Sequence, residues 1–300
     1  MNIGIFTRRP SSWASSALIR AFRSLGHRVI PLRFRDVVAF IDRDRLKVFV
    51  KGMDLISEVA AVVVRPFGRV SLDQAVLRLD LLYALHEHGI SVFNEPMAIE
   101  KCVDKFRALY TLKLHGIPVP RTLVAERSSL ALRSLDMIKS RHIVVKPMFG
   151  SRGHGATRVK ISDREVLWEI ARSLAFTRHT IYLQEYIEHG GADIRVFVLG
   201  DKVLAAMYRK APSSSWKTNI ARGGRPERIE RLEPEIEEIA IKAASILGCE
   251  IAGVDLVREG ESVFVLEVNS QPGWHGLQSV CPDIDIALEI AKYVVEHTRK

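Results

Sequence analysis

Short apolar runs alternate with amphipathic segments over the first third of the chain. The runs are rich in valine and isoleucine and predict buried strands, whereas the segments between them carry apolar residues at helical spacing. The predicted strands span 2–6, 29–32, 61–64 and 91–93, and the predicted helices span 12–25 and 72–88. This alternation predicts a small α/β layer. Two further apolar runs, 37–41 and 46–50, flank polar residues and predict an inserted hairpin.

The pattern changes in the middle of the chain. A long helical stretch at 97–115 ends at Gly116. Further on, a glycine-rich loop at 148–155 lies between apolar strands at 143–147 and 156–161. Such a loop between strands forms either a simple flexible turn or a flap, whose glycines let backbone amides approach an anion closely. No helix follows the loop, so it is neither a Walker A loop nor a dinucleotide-binding fingerprint.

Near the C-terminus, two apolar runs at 251–257 and 262–268 are joined by a polar turn with a glycine, which predicts an antiparallel hairpin. Glu267 and Asn269 are two positions apart and so share one face of their strand, and the partner strand can bring Asp255 beside them. Three oxygen donors on apolar strands favour a magnesium ion. The alternative is that Asp255 caps a loop while Glu267 and Asn269 lie on a solvated face.

Polar and basic residues also mark the region between flap and hairpin. The strand 181–187 runs into a glycine-containing hinge, whose backbone is suited to reading an adenine edge, with Glu185 beside it. Two more strands pair around a Gly-Asp turn and carry Arg195 and Arg209, and the loop 219–224 follows. Positive charge converging here indicates a polyphosphate or carboxylate ligand.

Composition narrows the class of protein. The 300 residues are 47% hydrophobic, enough for a large core in two or three modules. No run of about eighteen apolar residues occurs and the chain begins with a strand, so we expect neither a membrane span nor a signal peptide. Cys102, Cys249 and Cys281 lack metal-binding spacing, which indicates a reducing, cytoplasmic compartment and no structural zinc.

The net charge of +9 raises nucleic acid as a partner. Arginine and lysine are, however, spread along the chain, and neither a basic tract nor a nucleic-acid-binding motif is present, so we do not expect nucleic acid to bind. A positive cleft that concentrates small anionic substrates explains the charge equally well.

Six short motifs occur in a fixed order along the chain. They are Lys146 before the flap, Gln184-Glu185-Tyr186, Asp193-x-Arg195, Asn219-x-x-Arg222-Gly-Gly, Gly-x-Asp255 and Glu267-x-Asn269. Together they resemble the RimK-like branch of the ATP-grasp superfamily, whose members join L-glutamate to a carboxylate. The resemblance covers essentially the whole chain and implies an α/β protein with α+β modules. The implied modules are an N-terminal pre-ATP-grasp domain (1–95), a central ATP-grasp subdomain with the flap (96–185) and a C-terminal subdomain with the metal site (186–300).

The resemblance also implies roles for individual residues. The expected contacts of ATP are Lys105, Lys146, Ser151, Gly153, Gly155, Glu185, Tyr186, Asp193 and Arg195. The expected ligands of Mg²⁺, or alternatively Mn²⁺, are Asp255, Glu267 and Asn269. The residues expected to face the transferred phosphate and the acceptor carboxylate are Arg209, Asn219 and Arg222. In such enzymes the acceptor carboxylate attacks the terminal phosphate, and the amine of glutamate then displaces phosphate from the acyl phosphate.

The acceptor is the open part of this resemblance. RimK-like relatives glutamylate a ribosomal-protein tail, a deazaflavin coenzyme or a pterin coenzyme. The segment 271–278 is most similar to the coenzyme-modifying group, especially the pterin type, which implies a coenzyme of the tetrahydromethanopterin or deazaflavin kind. The alternatives are a ribosomal-protein C-terminus, an amino-carrier protein of lysine or arginine synthesis, and a nucleotide-binding regulator without catalysis. Relatives commonly form dimers or tetramers, so a homo-oligomer is expected.

Three features have two readings each. Trp274 either stacks on a ring-bearing acceptor or packs in the core. Arg8, Arg65 and Arg69 either line the acceptor side or are surface charge. The scattered histidines, His189 among them, are expected to be surface or packing residues rather than ligands.

Overall fold

A computed structural model describes residues 1–68, 70–150 and 155–299, and it begins with an α/β layer. The elements of this layer are β1 (Asn2–Phe6), α1 (Trp13–Ser24), β2 (Arg28–Leu32), β3 (Val37–Ile41), β4 (Leu46–Val50), β5 (Met53–Asp54), α2 (Leu55–Glu58), β6 (Ala61–Val64), α3 (Leu72–Glu87) and β7 (Ser91–Phe93). Strands β2, β1, β6 and β7 form a parallel sheet in that order. The predicted hairpin forms from β3 and β4, and β5 adds a third strand. Both predictions for this part are confirmed.

The central part carries the flap. Its elements are α4 (Pro96–Val103), α5 (Lys105–Leu114), β8 (Thr122–Ala125), α6 (Ser128–Arg133), β9 (His142–Val145), β10 (Thr157–Lys160), α7 (Arg164–Phe176) and β11 (Ile181–Glu185). They include an antiparallel sheet in the order β10-β9-β11-β8, with the flap joining β9 to β10 as predicted.

The single helix predicted at 97–115 is wrong, because two helices form there. The break is at Asp104, whose backbone is extended (φ −92°, ψ 101°). Its carboxylate accepts hydrogen bonds from the backbone amides of Phe106 and Arg107. Asp104 therefore caps the start of α5. Lys105 consequently occupies the first turn of a new helix, within reach of the flap.

The C-terminal part is built on a five-stranded antiparallel sheet in the order β14-β13-β12-β15-β16. Its elements are β12 (Ala192–Leu199), β13 (Lys202–Lys210), β14 (Arg225–Arg228), α8 (Pro234–Leu247), β15 (Ile251–Glu259), β16 (Ser262–Asn269), α9 (His275–Val280) and α10 (Ile286–His297). The sheet is buried on both faces: Ile194, Val196 and Val198 pack with α8, while Phe197 packs with α1 and α10. None of the helices in the described ranges is long and apolar enough to cross a membrane.

One buried amide ties the N-terminal layer to this sheet. The side-chain oxygen of Asn94 accepts hydrogen bonds from the amides of Glu250 and Ile251, both at 2.7 Å. Its nitrogen donates to the carbonyls of Ile251 (2.8 Å) and Ser270 (2.5 Å). Because these bonds lie where β15 begins and β16 has just ended, Asn94 fixes the hairpin that carries the predicted metal ligands.

Trp274 packs in the core. It is 1% exposed and makes edge contacts with the rings of Trp13 and Phe197 at 6.1 and 6.3 Å between centroids. Its indole is therefore enclosed by protein, and the alternative in which it stacks on an acceptor is wrong.

Candidate active site

A cleft between the central sheet and the C-terminal sheet collects most of the predicted site residues. Those that line it are Lys105, Lys146, Glu185, Tyr186, Asp193, Arg209, Asn219, Asp255 and Glu267. Four others do not line it: Gly155, Arg195, Arg222 and Asn269. Ser151 and Gly153 lie outside the described residues. Gly155 follows them with φ of +76°, a left-handed conformation that favours glycine at the end of the flap.

The hairpin β15–β16 brings the proposed metal ligands together. Asp255 is directly opposite Glu267, and Asn269 is opposite Gly253. Glu267 is partly buried and forms no hydrogen bond or ion pair with any residue in the described ranges. Asn269 donates its amide hydrogen to the Gly253 carbonyl at 3.3 Å, which leaves its side-chain oxygen for another partner. The three donors are oxygens, which suits magnesium.

These ligands do not resemble a structural metal centre. In the part of the chain that the structure describes, no group of three His, Cys, Asp or Glu side chains is placed to hold a metal ion. The donor set is two carboxylates and one amide, and such a set holds Mg²⁺ together with substrate phosphates rather than in a cage made by protein alone.

Two buried arginines hold Asp255 in place. The Nε atom of Arg195 is 2.5 Å from Asp255 Oδ1, and the Nη2 atom of Arg209 is 3.1 Å from Asp255 Oδ2. Burial raises the pKa of Asp255, and the two guanidinium groups counter this rise. Arg195 lies behind the carboxylate, beneath Gly253, and away from the cleft surface. Its position supports a role in orienting Asp255, and its expected contact with the nucleotide stays a prediction.

Arg209 forms a second, stronger pair. Its Nε and Nη2 atoms donate to the two carboxylate oxygens of Asp193 at 2.7 and 2.6 Å, and Thr218 donates to the same carboxylate at 2.5 Å. Burial alone would lower the pKa of Arg209, but Asp255 and Asp193 outweigh it and raise the pKa. Asp193, Arg209 and Asp255 thus form one buried network, as bidentate arginine pairs allow.

Two lysines face this network from the flap side. The Lys146 ammonium donates to Gln184 Oε1 at 2.7 Å, and Lys105 donates to the carbonyl of Gly150 at 2.7 Å. Desolvation lowers the pKa of Lys146 to about 8, with a further contribution from Lys105, while Glu267 and Asp255 oppose the change. A desolvated ammonium group in a cleft gains most from an anionic ligand.

The hinge after β11 is fixed by side chains. Glu185 accepts a hydrogen bond from the Arg121 amide at 2.7 Å, so one carboxylate oxygen is already used within the protein. The guanidinium carbon of Arg158 lies over the Tyr186 ring, 4.7 Å from the ring centroid. The same ring contacts Trp216 edge-on, with 5.8 Å between the ring centroids. Arg158 belongs to flap strand β10, so these contacts join hinge, flap and the loop after β13.

Sequence reasoning missed several residues of the cleft. They are Val144, Ile187, His189, Trp216, Lys217 and Leu266. Val144, Ile187 and Leu266 supply apolar surface of the kind that an adenine ring requires. His189, expected at the surface or in packing, lines the cleft, and burial lowers its pKa although Asp193 opposes this. Val144 and Leu266 carry no mark in the sequence that distinguishes them from ordinary strand residues, and only Ile187 adjoins a predicted motif, the hinge.

The loop 219–224 has a backbone that only glycine allows. Gly223 has φ of +90°, and a Cβ atom on Gly224 would collide with the carbonyl of Thr218. Asn219 accepts hydrogen bonds from the amides of Arg222 (2.8 Å) and Gly224 (3.2 Å), which closes the loop. The exposed Arg222 acts on Lys217: burial lowers the pKa of Lys217, and the charge of Arg222 lowers it further. The loop therefore places positive charge at the mouth of the cleft.

Comparison with known proteins agrees with this arrangement. Residues 102–294 match the family model of the RimK-like ATP-grasp domain, and residues 1–99 match that of the RimK PreATP-grasp domain. Tetrahydromethanopterin:alpha-L-glutamate ligase of Methanosarcina acetivorans is 33% identical over 324 aligned positions, which cover 98% of each chain. A Vibrio cholerae protein named "Probable alpha-L-glutamate ligase" is 34% identical over 296 positions, covering 98% of this chain and 95% of that protein.

Solved structures share the architecture. The ATP-grasp ligase PsnB complexed with minimal precursor has a TM-score of 0.76 at 20% identity, with 98% of both chains covered. D-cycloserine synthetase DcsG has a TM-score of 0.75 at 20% identity, with 100% of both chains covered. At this identity the likeness concerns the fold. Together with the family models and the site geometry, it shows that the chain belongs to the RimK-like ATP-grasp family and is an ATP-grasp ligase with an N-terminal pre-ATP-grasp domain.

Proposed function

We propose that this ligase uses ATP and Mg²⁺ to join L-glutamate to a carboxylate acceptor through an acyl phosphate. The observation that carries the proposal is Glu267, a partly buried carboxylate that has no partner among the described residues and lies opposite Asp255. Across the cleft, Lys146 has a pKa lowered to about 8. A magnesium nucleotide would satisfy both groups, since the metal would bind the carboxylate and the phosphates would bind an ammonium whose hydrogen bond goes to the neutral Gln184 amide.

The cleft offers a place for each part of ATP. The apolar side chains of Val144, Ile187 and Leu266 suit the adenine ring, and the backbone after Glu185 suits its polar edge. Lys105 and Lys146 face the phosphates. Asp255, Glu267 and Asn269 would hold Mg²⁺, which would neutralise charge on the phosphates and orient the terminal one.

The reaction needs no nucleophile from the protein. A carboxylate oxygen of the acceptor attacks the terminal phosphorus of ATP, and the bond to ADP breaks. The amine nitrogen of glutamate then attacks the acyl carbon, phosphate leaves with the bonding electrons, and the nitrogen loses a proton to solvent. The protein's contribution is positioning and charge: Asn219 lies at the cleft, and Lys217 and Arg222 bring positive charge to its mouth.

We further propose that the acceptor is a coenzyme, with a tetrahydromethanopterin-type pterin as the first candidate and a deazaflavin as the second. Supporting this, the relative from Methanosarcina acetivorans is named for tetrahydromethanopterin, and so is a Methanocaldococcus jannaschii relative that is 38% identical over 231 positions. The Vibrio cholerae relative carries a name without an acceptor, so the acceptor has to be tested directly.

The test is a ligation assay with product masses. Purified protein is mixed with ATP, Mg²⁺, glutamate and one acceptor at a time: reduced pterin coenzyme, deazaflavin coenzyme or a ribosomal-protein tail peptide. We expect the pterin coenzyme to gain one or more glutamyl units, with ADP released only when the acceptor is present. Addition to the tail peptide alone would overturn the coenzyme assignment. Absence of glutamyl addition to every acceptor, with ATP still bound, would contradict the proposed ligation.

A further inference from the structure

A second cleft lies at the edge of the N-terminal layer, where three adjacent parallel strands end. Strand β1 is followed by Arg8, β2 by Arg33 and β6 by Arg65. These side chains line one cavity because the carboxyl ends of neighbouring parallel strands meet at the same sheet edge. Open parallel sheets bind their ligands at this edge. We refer to this cavity as the basic cleft.

The charge of the basic cleft is unbalanced. Six arginines line it and, among the described residues, no acidic side chain does; the six are Arg8, Arg9, Arg33, Arg35, Arg65 and Arg78. The ion pair of Arg35 with Asp36 is long, at 3.6 Å, and its arginine is exposed. Burial lowers the pKa of Arg78, and the nearby Arg8 lowers it further. Like charges held this close favour an anionic ligand.

Two of these arginines, Arg8 and Arg78, are held in position by contacts with the protein. Arg78 donates to the carbonyl of Phe67 at 2.9 Å, and its guanidinium lies 5.3 Å from the ring centroid of Phe34. Arg8 packs on Gly68, since a Cβ atom added to Gly68 would lie 2.5 Å from the Cδ atom of Arg8. Such pre-ordering reduces the entropy that a ligand has to overcome, and guanidinium forks match the oxygens of phosphate and carboxylate groups.

The basic cleft also touches the segment that follows the metal hairpin. The buried Arg65 donates to the carbonyl of Pro272 at 2.9 Å and lies 4.6 Å from the ring centroid of Trp274. Pro272 in turn packs on Gly253, two residues before Asp255. A Cβ atom added to Gly253 would lie 2.9 Å from the Cβ atom of Pro272. The two clefts are thus separated by one short, packed segment.

We propose that the basic cleft binds a multiply charged anionic portion of the acceptor, either a phosphate or a group of carboxylates, while the acceptor's reacting carboxylate enters the active site. This inference rests on the proposed function and deepens it, since it specifies that the acceptor carries at least two negative charges away from the reacting group. Arg69, for which the acceptor side and the surface were alternatives as for Arg8 and Arg65, lies outside the described residues.

The test is anion binding that does not depend on catalysis. The active site is first saturated with Mg²⁺ and a non-hydrolysable ATP analogue, and the protein is then titrated calorimetrically with inorganic pyrophosphate or with triglutamate. The cleft variant is Arg8→Gln/Arg33→Gln. The matched control is Arg20→Gln/Arg23→Gln, which removes two exposed positive charges from α1 outside the basic cleft.

We expect the wild-type protein to bind one of the probes, and the tighter of the two identifies a phosphate or a carboxylate source. The cleft variant should bind it at least about tenfold more weakly, because two charge-assisted contacts are removed, while the control stays within about twofold. If the double variant does not fold, the affinity of the single variant Arg33→Gln for the same probe is measured in its place. Absence of binding by the wild-type protein, or equal weakening in cleft variant and control, would overturn the proposal whether or not the chain ligates glutamate.

Discussion

The buried network below the active site predicts a large effect for the replacement of one atom. In Asp193→Asn, an amide group replaces a carboxylate that accepts two hydrogen bonds from Arg209 and one from Thr218. The amide has one acceptor oxygen, and its NH₂ group must face another donor. Arg209 would then keep only one charged partner, Asp255, at 3.1 Å.

The magnitude follows from burial. Both Asp193 and Arg209 have side chains that are 5% exposed, so a guanidinium left without its partner cannot be solvated. Removing one member of such a pair destabilises a protein by about 3–5 kcal/mol. Two terms place the value near the lower end: Arg209 retains Asp255, and the repulsion that Asp193 exerts on Asp255 is relieved. We therefore expect a loss of about 3 kcal/mol in the free energy of unfolding.

The assay is urea unfolding followed by both circular dichroism and tryptophan fluorescence, since coincident transitions are needed for a single free energy. Asp201→Asn is the matched control: it makes the same change in the exposed turn of the same hairpin and should stay within about 0.5 kcal/mol. In the double variant Asp193→Asn/Arg209→Met the unpaired charge is gone, so the combined loss should be at least about 2 kcal/mol smaller than the sum of the single losses. A loss below about 1 kcal/mol for Asp193→Asn, or additive losses, would refute the reasoning.

Three other changes test the site. Glu267→Gln should abolish acceptor-dependent ADP release and leave the midpoint of urea unfolding unchanged. The control Glu261→Gln, in the exposed turn of the same hairpin, should stay active. Near-normal turnover by Glu267→Gln would overturn the metal assignment. The affinity for ATP should fall as pH rises through about 8, because the pKa of Lys146 is lowered to about 8 and its ammonium group is charged only below that pH. A series of nucleotide titrations at different pH values measures this fall, and Lys146→Arg should remove it because arginine stays charged. An affinity of the wild-type protein that does not change with pH would contradict the prediction. Gly224→Ala should lower the ligation rate at least about tenfold, because the added methyl group meets the Thr218 backbone and displaces the loop that holds Asn219. Gly273→Ala is the control in the same kinetic assay, since no atom lies within 4 Å of its added methyl group.

The sequence predicted the parts of the fold in which local pattern and chemistry agree. Alternating β-branched residues around a glycine turn specify the hairpin and its pairing as far as Leu256 with Val265. An irregularity that leaves Leu266 without a cross-strand partner then shifts the register and places Asp255 opposite Glu267, and this shift has no mark in the sequence. The parallel strands of the first layer were equally clear, because each is a short apolar run between amphipathic helices.

The remaining features depend on contacts between distant segments. Asp104 ends one helix and caps the next, yet the apolar positions keep a helical period through it. Val144 and Leu266 line the cleft, but a valine or leucine on a strand has no sequence mark that distinguishes a ligand-facing position from a core position. Arg195 alternates out of its strand as expected, and only the tertiary structure shows that it meets Asp255 beneath Gly253.

The charges of the active site explain why metal and nucleotide should bind together. Arg195 and Arg209 balance Asp193 and Asp255, so this buried group of four is neutral. Glu267 adds one negative charge, and it faces the positive Lys146 across the cleft. A divalent cation by itself would bring two positive charges to a site with no net negative charge, which is unfavourable in a partly desolvated cleft. ATP phosphates supply the missing negative charge and satisfy the lysines as well. The geometry therefore favours binding of Mg²⁺ as its ATP complex over binding of the free ion.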